Sequence, residues 1–300
     1  MTRTAPAPQD VETTHPDRVL FDDGTTKGEL VDYYRRVAPV MVPHLRGRPL
    51  MLQRFPRGVD ESGFYQKEAG DQFPDWVTTR TVEKEGGTVT HVVCEDEATL
   101  VHLANFDCVT LHSWLGDARD PYHPDRLVFD LDPSGNDFGE LRSAAYALRD
   151  LLTELGLAPY VQTTGSRGLH VTLPLDRSTH VDDVRSFARE VAESLADERP
   201  DQLTVEASKD KRGKRIYLDV LRNAYAQTAV APYSVRAMAS PTVATPVRWD
   251  ELSRAKMHAD RYTIESLQRR LTRTEDPWAD MERHAGSAAE AHKRFARRRG

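Results

Sequence analysis

Between Asp125 and Leu221 the chain switches repeatedly from short apolar runs to longer amphipathic ones, and this alternation limits the fold more than any other feature. DRLVFDLD (125–132) has the pattern of a strand that ends in two carboxylates, and Pro133, Ser134 and Gly135 break it. Asn136 or Asp137 can cap a following helix, on which Phe138, Leu141, Ala145, Leu148, Leu152 and Leu155 keep helical spacing up to a stop at Gly156. YVQTT and LHVTLPL read as strands around a GSRG turn, and Val181, Val184, Ala188, Val191 and Leu195 mark a second helix. QLTVEA and RIYLDVL read as two more strands joined by a basic, hairpin-like loop. The pattern predicts an α+β (mixed α/β) core in one domain.

Upstream, residues 1–14 are rich in Thr, Pro and Ala without periodicity and read as a disordered leader. A helix is expected from Lys27 to Pro39, with Leu30, Tyr33, Tyr34 and Val37 on one face. RPLMLQRF, TVTHVVCE and CVTLHSW have strand patterns, and EATLVHLANF that of a short helix. Helical spacing resumes over 250–271 and 279–297. The expected organisation is a leader (1–14), one domain (15–285) with an N-terminal part to residue 115 and a part from 116 onward, and a basic tail (286–300).

Composition narrows the function classes. Lys and Arg total 41 against 47 Asp and Glu, so net charge gives no field that would draw nucleic acid, and such binding must rest on local clusters. Two exist, KDKRGKR (209–215) and KRFARRR (293–299), and either can equally be a solvated face or tail. The two cysteines, Cys94 and Cys108, lie in no metal or disulfide spacing. No apolar run is long enough to span a bilayer, and MTRTAPAPQDVETTHP has no apolar signal core, so the expected location is the cytoplasm, at the nucleoid.

Three segments can carry chemistry. Asp130 and Asp132 should share a strand face with Cα atoms about 6.5 to 7 Å apart. Such a pair suits hard divalent cations and phosphate chemistry, and equally a solvated strand end. Asp219, on the otherwise apolar RIYLDVL, is a third carboxylate that could complete a two-metal site. TTGSRGLH (163–170) gathers Thr164, Ser166, Arg167 and His170 around Gly165 and Gly168, which suits backbone and side-chain approach to an anion; the plain alternative is a hairpin turn. Arg222 and Arg236 read as surface groups, and His112 as a satisfied core or surface histidine.

HPDRVLFDDGTTKGELVDYY, LVFDLDP, TTGSRGLHV, and IYLDVLRN with TAVAPYSVRA together resemble the polymerase domain of bacterial ligase D, the end-joining branch of the archaeo-eukaryotic primase superfamily. The resemblance runs from about residue 15 to 255, in the family's order and spacing. It implies a primase-polymerase fold whose central, mainly antiparallel sheet carries metal-binding aspartates. It also implies template-directed nucleotidyl transfer that fills gaps and extends 3′ ends in non-homologous end joining, with a ribonucleotide preference and two Mn²⁺ or Mg²⁺ per site. Asp130, Asp132 and Asp219 match the metal aspartates. His112, Thr164, His170, Arg222 and Arg236 fall at nucleotide contacts, with Ser166, Arg167, Lys209 and Arg212 nearby. Arg18 and Lys27 match a 5′-phosphate grip that includes the position of His15, and Phe64 matches an aromatic that stacks on the template. The family usually has Ser at Thr164, Lys at Arg167 and Arg18, and Asn at His15.

The implied partners are gapped or broken DNA with a 5′-phosphate, NTP or dNTP, the end-binding protein Ku and a separate ligase, since the remaining chain has no room for one. Two competing expectations are a DNA-end clamp without synthesis, and a haloacid-dehalogenase-type phosphatase with Asp130 as nucleophile.

Overall fold

The computed structural model describes residues 11–135 and 137–299. In chain order the elements are α1 (Lys27–Leu45), β1 (Leu50–Arg54), β2 (Phe64–Gln66), β3 (Thr79–Lys84), β4 (Gly87–Val92), α2 (Glu97–Asn105) and β5 (Cys108–Trp114). There follow β6 (Arg126–Asp132), α3 (Phe138–Glu154), β7 (Tyr160–Thr163), β8 (Leu169–Pro174), α4 (Val181–Glu198), β9 (Leu203–Thr204) and α5 (Lys209–Arg212). The last are β10 (Ile216–Asp219), β11 (Thr228–Val230), β12 (Thr245–Val247), α6 (Ile264–Leu271) and α7 (Ala288–Arg299).

Two sheets organise them. A four-stranded sheet has the order β11-β5-β1-β2, and a six-stranded sheet the order β12-β7-β8-β6-β10-β9. Every pairing in them is antiparallel except β9 with β10. The core of the larger sheet packs Leu127, Phe129 and Leu131 against apolar residues of α3, α4 and α7. The core of the smaller sheet joins α1 and α2 to Ala231, Tyr233 and Val235, so the chain returns to its N-terminal half after the larger sheet is built. A cut near residue 115 therefore divides the sequence but not the packing. Among the described residues no helix is long and apolar enough to cross a membrane.

α1 starts where Thr26 and Glu29 form a reciprocal capping box. The expected stop at Pro39 does not occur; the helix continues through Pro39 and Pro43 to Leu45. Both prolines lie on its exposed face, where water can take the freed carbonyls, while Met41, Val42 and Leu45 are buried on the other. The hydroxyls of Tyr33 and Tyr34 donate to the carbonyls of Tyr233 and Val109, tying the helix to the sheet beneath it.

Three further expectations differ from the structure. The basic loop is not a hairpin, because β9 and β10 run parallel; residues 205–215 carry the chain back through the single turn α5. Residues 286–300 are more than a basic tail: α7 buries Ala288, Ala291 and Phe295, whose helical spacing leaves the arginines outward. Of the expected leader, residues 1–10 lie outside the described residues, while 11–14 dock on α2. Thr14 N–H donates to Asn105 Oδ1 at 2.9 Å, and Asn105 Nδ2 donates to the Glu12 carbonyl at 3.1 Å.

Candidate active site

The centre of the larger sheet carries a row of polar side chains. Register pairs Gln162 with His170, His170 with Asp130, and Asp130 with Asp219, across β7, β8, β6 and β10. Asp132 pairs with Tyr217 two positions away. Strand alternation explains the arrangement: Leu131 and Leu218 turn to the core at 0% and 1% exposure, so Asp130, Asp132, Tyr217 and Asp219 take the other face. That face opens on a cavity of about 330 Å³, walled on its far side by His112 of β5 and Val230 of β11. The cavity thus lies where the two sheets meet.

Four guanidinium groups, of Arg167, Arg212, Arg222 and Arg236, line it against three carboxylates. Arg222 Nε stands 3.8 Å from Asp130 Oδ2 and 3.6 Å from Asp219 Oδ2. Arg212 NH1 donates to Asp132 Oδ2 at 3.0 Å while its plane lies over the Tyr217 ring, and Arg167 NH2 is 3.7 Å from Asp132 Oδ1. Lys209 does not share this position: it opens α5 fully exposed, whereas Arg212 at the end of that turn points inward.

The surroundings separate the ionisable groups. Burial would raise the Asp130 carboxyl, but His170, Arg222 and Arg236 outweigh it and hold Asp130 below the usual carboxylate range. Asp219 goes the other way: burial raises it and Asp130 adds to the rise, against the Leu221 N–H and Arg222. His112 is pushed down to about 3, first by burial and then by Arg236, Arg222 and His170. Its Nε2 is buried without a hydrogen-bond partner among the described residues.

The turn that closes the cavity is built differently from the sequence expectation. Gly165 has φ +67°, and a Cβ there would meet the Val243 carbonyl carbon at 2.7 Å. A Cβ on Gly168 would meet the Leu131 carbonyl oxygen at 2.5 Å. Both glycines therefore serve close packing against the chain's own backbone. The Thr164 hydroxyl accepts from Gly168 N–H at 3.1 Å and holds the turn, while Ser166 and the exposed Arg167 reach the opening. Arg236 NH1 donates to the Thr164 carbonyl at 3.0 Å.

A second group lies on the smaller sheet's side. Arg18 and Lys27 both meet Asp107 Oδ1, the lysine at 3.5 Å, and Lys27 Nζ donates to Thr14 Oγ1 at 2.9 Å. His15, exposed at φ +50°, begins this loop, with its carbonyl accepting from Arg18 N–H. The short strand β2 carries an aromatic on each of its faces. Arg54 lies 3.6 Å above the Phe106 ring and 5.2 Å from Phe64, and Tyr65, next to Phe64, sets its ring 6.0 Å from His112. Phe64 and Tyr65 are 46% and 56% exposed, so both offer aromatic faces to a ligand. Arg54, Tyr65, Asp107, Gln162 and Tyr217 were not singled out by the sequence. Only Tyr65 left a signal, as a second aromatic beside Phe64 in a short run between turns.

A family model described as the LigD primase-polymerase domain matches residues 26–278. The chain belongs to the LigD primase-polymerase family. It is 37% identical over 247 residues to the multifunctional non-homologous end joining protein LigD of Mycolicibacterium smegmatis, covering 81% of this chain and 32% of that protein. It is 30% identical over 274 residues to the bifunctional non-homologous end joining protein LigD of Bacillus subtilis, covering 90% of this chain and 44% of that one. The chain thus matches less than half of the length of these relatives, 32% and 44%. The polymerase domain of Mycobacterium tuberculosis ligase D, solved in complex with DNA, superposes with a TM-score of 0.87 at 32% identity, over 93% of this chain and all of that one. The expected primase-polymerase fold, with its mainly antiparallel sheet, is confirmed by this match.

The LigD primase-polymerase family is one of metal-dependent nucleotidyltransferases, and family membership removes the phosphatase expectation. The residues present fit a hard divalent cation: two half-buried carboxylates face each other on neighbouring strands, and oxygen donors of this kind suit Mg²⁺ or Mn²⁺. Among the described residues no three His, Cys, Asp or Glu side chains already converge as a cage; Asp132 meets Arg212 and Arg167 instead.

Proposed function

We propose that this chain transfers nucleotidyl groups to DNA 3′ ends under template direction, filling gaps and extending ends in non-homologous end joining, with a preference for ribonucleotides. The observation that carries this reading is the opposed pair Asp130 and Asp219, set in a cavity lined by four arginines.

Asp130, Asp132 and Asp219 would hold two Mn²⁺ or Mg²⁺, which supply Lewis acidity for the attacking 3′-hydroxyl and the departing pyrophosphate. The protein's own groups do the rest. Arg222 and Arg236 offset triphosphate charge inside a site with little water, and Arg167 and Ser166 receive phosphate oxygens at the opening. Arg212, which holds Asp132 at 3.0 Å, would release it to serve as a cation ligand. His170 offers a donor beside Asp130, and the unpartnered Nε2 of His112 orients the sugar or phosphates. Thr164 acts mainly by holding its turn. Lys209 lies outside the cavity wall, so its role at the nucleotide would be limited to its mouth.

Arg18, Lys27 and His15 grip the 5′-phosphate on the far side of a gap, with Asp107 keeping the two cations together until phosphate competes for them. Phe64 stacks on the templating strand, and Tyr65, on the other face of β2, stands beside His112 on the nucleotide side. Recruitment falls to Ku and sealing to a ligase activity.

The test is primer extension on a gapped duplex with and without a downstream 5′-phosphate, using ribo- and deoxyribonucleotides with Mn²⁺ or Mg²⁺. Templated addition that favours ribonucleotides and the phosphorylated gap supports the reading. Tight phosphate-dependent binding without synthesis would support the end clamp instead.

A further inference from the structure

Gln162 lies one strand beyond His170 and is only 1% exposed. Its amide nitrogen stands 3.3 Å from the Val230 carbonyl oxygen and 3.2 Å from His170 Nδ1. A peptide carbonyl can only accept, which fixes the orientation of the amide: turned over, Gln162 would set oxygen against oxygen. With its nitrogen so placed, the amide donates to Val230 with one hydrogen and to His170 with the other. His170 Nδ1 must then be the accepting nitrogen, and the ring proton sits on Nε2. That nitrogen is 3.5 Å from Asp130 Oδ1 at the cavity wall.

The arrangement has a cost that a merely space-filling residue would avoid. Gln162 Oε1 is buried with no partner among the described residues, and an apolar side chain of similar size would leave no such atom. The amide also spans the two sheets, because Val230 belongs to β11 and is the register partner of His112 on β5. One side chain thus links β8, which carries His170, to β11, the strand paired with that of His112.

We propose that Gln162 is a positioning residue, which holds the His170 ring with Nδ1 as the accepting nitrogen and its Nε2–H directed into the cavity as a donor for a phosphate oxygen of the nucleotide. This rests on the proposed nucleotide site only for the identity of the acceptor; the tautomer follows from the hydrogen bonds alone. The same contact sets the spacing between His170 and His112, so that both address one ligand.

The test is ¹⁵N NMR of the histidine rings in the metal-free full chain, with the His170 signals assigned by their loss in His170→Asn. The expected result is an Nε2–H tautomer in the wild type. In Gln162→Glu, whose carboxylate accepts from Nδ1–H, the signals should move toward the Nδ1–H form. Gln162→Met, close in volume and without a donor, should show a mixture of tautomers.

Binding of ATP with Mn²⁺, followed by calorimetry, should weaken roughly tenfold in Gln162→Glu, the loss of one charge-assisted hydrogen bond. Binding to 5′-phosphorylated DNA should be unchanged. An Nδ1–H tautomer in the wild type, or tautomers that do not respond to either substitution, would overturn the proposal. Unchanged ATP affinity in a variant whose tautomer has moved would overturn its role in positioning. Absence of ATP binding by the wild type, with the expected tautomer, would count against the nucleotide site and leave the tautomer assignment standing.

Discussion

Asp219 lies directly opposite Asp130 across the β10–β6 pairing, and the single Arg222 guanidinium stands within 4 Å of both carboxylates. Two like charges so placed in a poorly solvated cavity repel each other, which is reflected in the raised Asp219 carboxyl beside the lowered Asp130. A protein keeps such a pair only if something else is gained from it, and in the proposed function that gain is the capacity to hold cations.

Asp219→Asn should therefore stabilise the chain and silence it. The amide oxygen can still accept from Leu221 N–H, at 2.8 Å in the wild type, so the local turn is kept. The expected outcome in chelator is a gain of about 1 kcal/mol in unfolding free energy. Added Mn²⁺ should raise the melting temperature of the wild type and leave that of the variant unchanged. Calorimetric melts with and without metal check this.

His112 makes stability depend on pH. Its folded value near 3 lies below the ordinary 6.5, so on acidification the unfolded chain takes up this proton first. The stabilisation is complete above about pH 6.5 and falls by up to about 1.4 kcal/mol per pH unit between there and pH 3. Urea melts of the wild type and His112→Asn from pH 7 to 5 should diverge by that slope, the wild type losing stability faster.

Arg18→Ala and Lys27→Ala should reduce discrimination between gaps with and without a 5′-phosphate. Each should also lower the slope of log affinity against log salt by about 1, the loss of one phosphate contact. Because Asp107 holds both cations, the double variant leaves a carboxylate in their place and should bind the phosphorylated gap more weakly than the bare one. Fluorescence anisotropy across a salt series measures both effects.

Two buried anchors decide whether the C-terminal segments belong to the fold. Glu251, 2% exposed, accepts from Arg270 at 2.6 Å and Arg254 at 3.0 Å. Removing it as Glu251→Ala should cost about 3 to 5 kcal/mol by stranding Arg270. Phe295→Ala in α7 should cost about 3 to 5 kcal/mol through the cavity it leaves between α4 and α7. Were 286–300 only a tail, Phe295→Ala would leave chemical denaturation unchanged.

The parts of this site that could be read from the sequence are those set by local periodicity. Alternation along DRLVFDLD put Asp130 and Asp132 on one face, and apolar spacing placed α3 and α4. What escaped depends on contacts between distant segments. Gly165 looked like an anion cradle because its neighbours are polar, yet its conformation answers to Val243 and Ala244, far along the chain. Arg212 looked like one charge in a solvated run, but its partner Asp132 comes from another strand. Pro39 looked like a helix stop until the burial of Met41 and Leu45 outweighed it. Gln162 carried no pattern at all, since its meaning lies in Val230 and His170.

The most direct measurement is templated extension of a labelled primer across a gap, by the wild type and by Asp130→Asn and Asp219→Asn, in Mn²⁺. The account predicts templated addition by the wild type and a loss of roughly 100-fold or more in each variant, with binding to the gapped DNA retained. Extension that survives both substitutions would contradict it, and so would a folded, DNA-bound wild type that adds no nucleotide in either metal.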